Sequence, residues 1–510
     1  MKNLKIILGV YFLSMIGLFS MATGTKTDSR VTSFGAKGDG KTLNSAAIQK
    51  AIDTASENGG GTVVFPKGVY LSGSIELKSN VCLHLEKGAV LLGSTNPLDY
   101  RRLNRWKALI LADGQNNIGI SGDGTIDGQG LQLALNADSL YHAGLLEDPS
   151  YNKRRFRVSE YQRPQIIEMV KCTRVSVTGI RIRNAACWVQ TYDQCENLLF
   201  DRVDVYSDAF WNNDGLDISD CRNVRITNSV INSADDGICL KSHSPDYFND
   251  SIYIANCTVR SSASAIKFGT ASFGGFKNIK IENIKVYNTF RSAIALESVD
   301  GGTLENIDIS GIDAKNTGNA IFIRLGHRNQ DGKVGVLRNI SIRNVKVEVP
   351  ARRPDENYIQ KGPDLPFFHN VIPSSITGIP GACVENVSIE DVEIIYPGGA
   401  NKGYAYFPLA RLPFVPEQIA EYPEFSTFGE LPAWALYVRH VKGLSLKNVR
   451  MTLKNSDFRP ACVFDDVQDM KLENVVIKGH GPHEQIILKD VRNEQIDPQG
   501  ISYGVKTMIF

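Results

Sequence analysis

The 510-residue sequence has almost no charge of either sign to spare: 56 Lys and Arg against 55 Asp and Glu leave a net of +1. No bulk field therefore draws it to nucleic acid. Nine cysteines are present, but the number is odd and small-scaffold spacing is lacking, which argues against a disulfide-stapled fold. None shows zinc-ligand spacing. Cys172, Cys195 and Cys221 instead open similar segments (KCTRV, QCENL, DCRNV), as small buried fillers in successive repeats would. No cysteine follows the apolar run Ile6 to Phe19, so a lipoprotein is not indicated, and the run is short for a membrane span. With Lys2 and Lys5 before it and Ser20-Met21-Ala22 after it, residues 1–22 read as a secretory signal. A secreted or periplasmic chain without a membrane anchor after cleavage is the expectation.

What is present is repetition. RVSVTGIRIRN, NLLFDRVDVYS, NVRITNSVINS, NIKIENIKVYN and NISIRNVKVEV share one template: short strand, polar or Gly corner, second short strand, turn. Asn197, Asn223, Asn278 and Asn306 fall at intervals of 26, 55 and 28, the middle one spanning two coils. Propeller blades would need about 40–50 residues each. The two-residue Asn-Gly and Asp-Gly turns of antiparallel hairpins are sparse between these strands. An all-β parallel β-helix fits best, as one domain over residues 31–510, with Asn ladders along one corner. Before it, residues 45–57 read as an amphipathic helix capped by Asn44 and ended by Gly59, with Ile48, Ala51, Ile52 and Ala55 on one face. Such a helix would cover the open N-terminal end of the solenoid. Residues near 131–165, 350–384 and 397–434 break the pattern and read as inserted loops. Asp123 and Asp127, beside glycines, read as turn-formers.

The coil period gives meaning to two acid clusters, Asp214 with Asp217 and Asp235 with Asp236. Asp214 and Asp235 are 21 residues apart, close to one coil. One turn would stack the clusters on adjacent parallel strands, about 4.8 Å apart. Like charges packed so closely raise at least one pKa and need a reason. Solvated corner residues, a calcium site and acid/base hydrolysis of a glycosidic bond are the competing readings, the last favoured.

The opening FGAKGDG…AIQKAID…GGG, then PKGVYLSGSIELKSNV, GDGTIDGQG and the acid motifs together resemble glycoside hydrolase family 28, the polygalacturonase-like pectinases. The resemblance runs from about Val31 to Val475. It implies a right-handed parallel β-helix and inverting hydrolysis without a cofactor or metal. The family's Asn-Thr-Asp motif falls on Asn212-Asn213-Asp214 and its Asp-Asp pair on Asp235-Asp236. By that likeness Asp235 is the general acid, Asp214 and Asp236 hold the attacking water, and Asn212 and Asp217 support them.

Two departures stand out. Ser264 takes the place of the histidine in the family's Gly-His-Gly. Ala295-Leu296-Glu297 replaces its Arg-Ile-Lys, so two carboxylate-gripping cations are absent and Glu297 would repel a uronate. Lys241, Lys267, Glu297, Arg324 and Arg328 are the candidate substrate contacts, with His243, His327, Trp188, Trp211 and Tyr247 nearby in sequence. The expected partner is a carbohydrate, a galacturonate-containing glycan other than plain homogalacturonan, attacked from a chain end by a monomer. A calcium-dependent lyase using Lys241 or Lys267, and a non-catalytic glycan-binding β-helix, are the alternatives.

Overall fold

The computed structural model describes residues 28–329, 332–365, 372–400, 407–497 and 503–509, so the signal segment 1–22 lies outside it. Every pairing between the named strands is parallel, each strand hydrogen-bonding its equivalents one coil before and one coil after. The chain thus winds as a parallel β-helix, right-handed as parallel crossover connections are. Among the described residues no helix is long and apolar enough to cross a membrane.

The alternation legible in the repeats is what closes the coils. Ile279, Ile307 and Ile340 stack in register, as do Ile281, Ile309 and Ile342, and all are buried. Each such side chain contributes about 1.5–3 kcal/mol of burial. At the corners, Asn278, Asn306 and Asn339 hold left-handed backbone with φ of 56°, 60° and 57°. This is a conformation Asn tolerates better than other side chains. Each donates its amide to the residue below: Asn306 to Asn278 at 3.1 Å, Asn339 to Asn306 at 3.1 Å, Asn386 to Asn339 at 3.2 Å. The cysteines stack likewise: Cys172 N–H points at Cys195 Sγ and Cys195 N–H at Cys221 Sγ, both at 3.3 Å. All nine thiols are free.

Helix α1, Ser45–Glu57, buries Ile48, Ala51, Ile52 and Ala55 over the N-terminal coil. Asn44 sits at its N-cap position but does not cap it. Its side chain bonds Lys37 N–H at 2.7 Å and donates to Lys37 O and Thr42 O, pinning the preceding loop. Asp127 accepts from Gln129 N–H and Asn184, a turn role. The segment near 131–165 contains a second helix, α2 (Gly130–His142), whose weak apolar face left it unread. The segment near 350–384 contains the strand Ser374–Thr377, which belongs to the solenoid and pairs with Phe322–Arg324 below and Leu436–Arg439 above. In 397–434, a 3-10 turn at Leu409–Phe414 and the side chains Phe425, Phe428 and Leu431 pack onto the outer face of that sheet.

Candidate active site

The outer face of one parallel sheet carries two columns of side chains. One runs Glu168, Thr191, Asp217, Cys239, Lys267, Ala295, Phe322. The other includes Asp193, Ser219 and Lys241 and, beyond an irregularity after Leu240, Glu297, Arg324 and Thr377. The acid clusters lie where coils enter this sheet. Gly215 N–H donates to Asp236 O at 2.8 Å, which sets Asp214 directly below Asp236 on consecutive rungs. Asp235 stands one residue earlier and is the acid left partly open, while Asp214, Asp217 and Asp236 are buried.

A web of buried polar groups fixes the loop before Asp214. The Asn213 carbonyl accepts from Ser207 Oγ at 2.8 Å and from Ala209 and Phe210 N–H, and its amide donates to Ala185 O and Cys187 O. Arg163, from the insertion near 131–165, donates to Trp211 O at 2.7 Å and Asn212 Oδ1 at 2.8 Å. Asn212 therefore pins the loop, with φ 59°, and Arg163 is its clamp. Neither Asn213 nor Arg163 was singled out as a support in the sequence; only the proximity of Asn213 to Asp214 hinted at it.

Each acid rung holds a buried lysine. Lys241 Nζ lies 3.0 Å from Asp214 Oδ2, 3.0 Å from Asp217 Oδ1 and 3.0 Å from Cys239 Sγ. Lys267 Nζ lies 3.2 Å from Asp236 Oδ2 and 3.8 Å from Glu297 Oε2. Burial alone would strip both lysines of their protons, but these carboxylates outweigh it and hold both ammonium groups charged. Neither is then placed to abstract a proton, as a lyase base must. Both are spent on the protein's own acids.

The carboxyls divide by environment. Burial and then Asp236 push Asp235 above the ordinary carboxylate range. Burial acts on Asp236 in the same sense, but Lys267, Lys241, Arg291 and the Ser264 N–H at 3.1 Å overcome it and hold it below that range. Asp217, at the Lys241 ammonium without hydrogen-bond alignment, is pushed by burial to about 6. Burial, helped by the other three acids, outweighs Lys241 and pushes Asp214 well above the ordinary range. Both acids around the Lys241 ammonium are thus shifted toward the protonated form. Glu297, buried beside Lys267, rises to about 7.

Donor atoms of Asp214, Asp236 and Cys239 all lie within 4.8 Å of one another. The residues do not suit calcium: the Lys241 ammonium already lies 3.0 Å from Asp214 and Cys239, and burial keeps the Cys239 thiol protonated. The same spacing lets one water bridge Asp214 and Asp236 with two ordinary hydrogen bonds.

The remaining candidates separate. Arg324 is not a free substrate contact: it donates to Gly378 O at 2.9 Å, Glu417 O at 2.7 Å and Gln418 O at 2.9 Å, tying the late insertion down. Arg328 is held in a fork by Asp300 at 2.9 and 2.7 Å. Glu297 faces Lys267 rather than an open groove. His327 N–H donates to Ile419 O at 2.7 Å. His243 accepts from or donates to Ser219 Oγ at 2.7 Å, and burial lowers it to about 3. Trp188 packs against Lys241 at 4.5 Å and Trp106 at 5.0 Å. Trp211 and Tyr247 are exposed.

Both late insertions reach the site. Ile359 and Gln360 N–H groups donate to Asp208, just before the Asp214 loop. Phe425 packs in one buried cluster with Phe290, Ala295 and Phe322, so the rungs that follow Lys267 are roofed over. Tyr422 lies beneath Lys267 at 5.5 Å, and Glu424 lies 3.4 Å from Arg291. Arg291, Tyr422 and Glu424 were not anticipated. The register of Ile266 and Ile294 could have found Arg291, two rungs above Asp235.

Residues 56–349 match the model of glycosyl hydrolases family 28. A protein from Vitis vinifera described as "Probable polygalacturonase" is 29% identical over 334 residues, 62% of this chain and 60% of that one. The exo-poly-alpha-D-galacturonosidase of Dickeya chrysanthemi is 30% identical over 250 residues, 41% of each chain. The match thus spans 60% of the first relative and 41% of the second, less than two thirds of either. Among solved structures, an exopolygalacturonase from Thermotoga maritima superposes with a TM-score of 0.57 at 23% identity, covering 72% of this chain and 87% of that one. That similarity speaks for the β-helix alone. With the family model matched over more than half its length, on the segment that carries all four acids, the chain belongs to glycosyl hydrolases family 28.

Proposed function

We propose that the protein is an exported glycoside hydrolase that cleaves a galacturonate-containing glycan from a chain end, with inversion, and does not favour plain homogalacturonan. The observation carrying this is the unequal pair Asp235 and Asp236: one carboxyl pushed above the ordinary range, its neighbour held below it. Asp235 keeps a proton to give to the leaving oxygen while Asp236 stays anionic to take one from water. That water sits between Asp236 and Asp214, and Asp214, shifted toward the protonated form, orients it more than it deprotonates it. Lys267 keeps Asp236 ionised and Lys241 keeps the lower pair in place. Asn212 and Asn213 hold the loop.

Action at a chain end is supported by the roof of Phe425, Phe290 and the rest of the insertion over the rungs beyond Lys267. Two of the relatives' names, the Dickeya exo-galacturonosidase and a Zea mays exopolygalacturonase, point the same way. A preference away from homogalacturonan is supported by the excess of acids in the site and by Ala295, buried under the roof where the family places a cation. The test is hydrolysis of polygalacturonate and of rhamnogalacturonan oligosaccharides side by side, with products resolved by size. Release of single small units from the branched or alternating substrate is expected. A ladder of intermediate sizes from polygalacturonate would contradict both parts.

A further inference from the structure

The register of Ile238, Ile266 and Ile294 puts Asp235, Ala263 and Arg291 near the start of three successive rungs of this sheet. Arg291 N–H donates to Ala263 O at 2.8 Å, which holds Arg291 on the rung directly above Ala263 and Ser264. The rung between carries only small side chains there, Ala263 and Ser264, so the arginine stands over Asp235 and Asp236 from two rungs above, about 9.6 Å along the axis.

The guanidinium is under-used. Among the described residues its one ion pair is with Glu424 at 3.4 Å, longer than a good charge-assisted hydrogen bond, and its Nε is buried with no acceptor among them. Other cations here are spent: Lys241 and Lys267 on the acids, Arg324 on backbone carbonyls, Arg328 on Asp300. An arginine fork matches a carboxylate better than a lone ammonium does. Its side chain is 14% exposed. Glu424 comes from the insertion, on a segment otherwise held through Arg324 and the apolar roof, and it presents a carboxylate to Arg291.

We propose that Arg291 decides which sugars the site accepts by receiving one carboxylate of the substrate, and that Glu424 is the internal counter-ion this carboxylate displaces. The inference rests on the galacturonate reading above and assigns the group that reads it. It places a single uronate next to the leaving-group acid, rather than a run of them. Binding then costs the Arg291–Glu424 contact, so Glu424 sets an affinity threshold that a neutral sugar does not meet.

The experiment uses Asp235→Asn protein, which holds substrate uncleaved, and titrates it calorimetrically with a galacturonosyl-rhamnose disaccharide and with the methyl ester of the same sugar. Adding Arg291→Gln is expected to weaken binding of the acid tenfold or more and of the ester less than twofold. Adding Glu424→Gln is expected to tighten binding of the acid severalfold, an effect a purely structural arginine would not give. Equal weakening of acid and ester by Arg291→Gln, or a Glu424→Gln change that weakens the acid, overturns the inference. Should Arg291→Gln fail to fold, the Glu424→Gln comparison and an Arg291→Lys variant decide it by the same acid-to-ester ratio. If the Asp235→Asn protein binds neither sugar, the galacturonate reading itself is wrong; if it binds both equally, only the role of Arg291 is.

Discussion

Asp214 and Asp236 stand on consecutive rungs, linked by the Gly215 N–H to Asp236 O hydrogen bond, and each is paired with a different buried lysine. The lower acid's lysine has a second carboxylate, Asp217, at 3.0 Å, whereas Glu297 stands farther from the upper one's, at 3.8 Å, and the lower acid is pushed up while the upper is held down. From this asymmetry the first prediction follows. Asp235→Asn and Asp236→Asn should each lower kcat by roughly 10²–10⁴-fold, the usual worth of a positioned acid or base. Asp214→Asn should cost less, because an amide still orients water. Steady-state rates of the three variants on one oligosaccharide test the order.

Removing a lysine should hurt folding as well as rate. Lys241→Met leaves Asp214 and Asp217 buried without a countercharge, and breaking a buried pair in this way costs about 3–5 kcal/mol. Denaturant unfolding at pH 7 would measure it, and the loss should shrink at pH 5, where Asp217, at about 6, holds its own proton.

The pH profile of kcat/KM should be a bell on the acid side of neutrality. Its acid limb reports Asp236, held below the ordinary range, and its alkaline limb Asp235, held above it. Lys267→Met removes the largest favourable charge on Asp236 and should move the acid limb upward. An unmoved limb would mean that another group sets it.

Glu168 gives a stability prediction away from the chemistry. It accepts from the Arg105 and Trp106 N–H groups through one oxygen, and its other oxygen is buried without a partner. Burial pushes it to about 7. A raised carboxyl favours the folded state while protonated. Its contribution is full below the unfolded value of about 4.3, erodes above that, and is gone once pH passes about 7. Glu168→Gln keeps the accepting oxygen and removes the titration. It should flatten the fall of stability between pH 4 and 8, by on the order of 3 kcal/mol across that window. Thermal unfolding of both proteins across this range is the check.

What was legible in the sequence is what repeats with the coil. Asn278, Asn306 and Asn339, the three cysteines and the two acid clusters recur at the period of the solenoid, so register follows from counting. What was not legible depends on contacts between distant segments. Arg324 and Arg328 looked like free cations because nothing in their own repeats shows that Glu417 O, Gln418 O and Asp300 consume them. Glu424 reaches Arg291 from an insertion without periodicity, and a period carries no information about where such a segment lands. Helix α2 was missed because its apolar face is weak.

The insertion offers its own test. Arg324→Ala removes the donors that tie down Glu417 and Gln418 and should loosen the roof without touching an acid. Proteolysis near residues 407–434 should quicken, and products should shift from single small units toward a range of sizes. Unchanged products from a proteolytically loosened protein would separate the roof from action at a chain end.

The central claim is direct hydrolysis by a protonated Asp235 and a water held at Asp236. Proton NMR of the first minutes of cleavage of a pectic oligosaccharide tests it most directly. The account predicts a first-formed anomer of opposite configuration to the bond cleaved, mutarotating only later. A retained anomer, or the vinylic proton of an unsaturated lyase product, would contradict it.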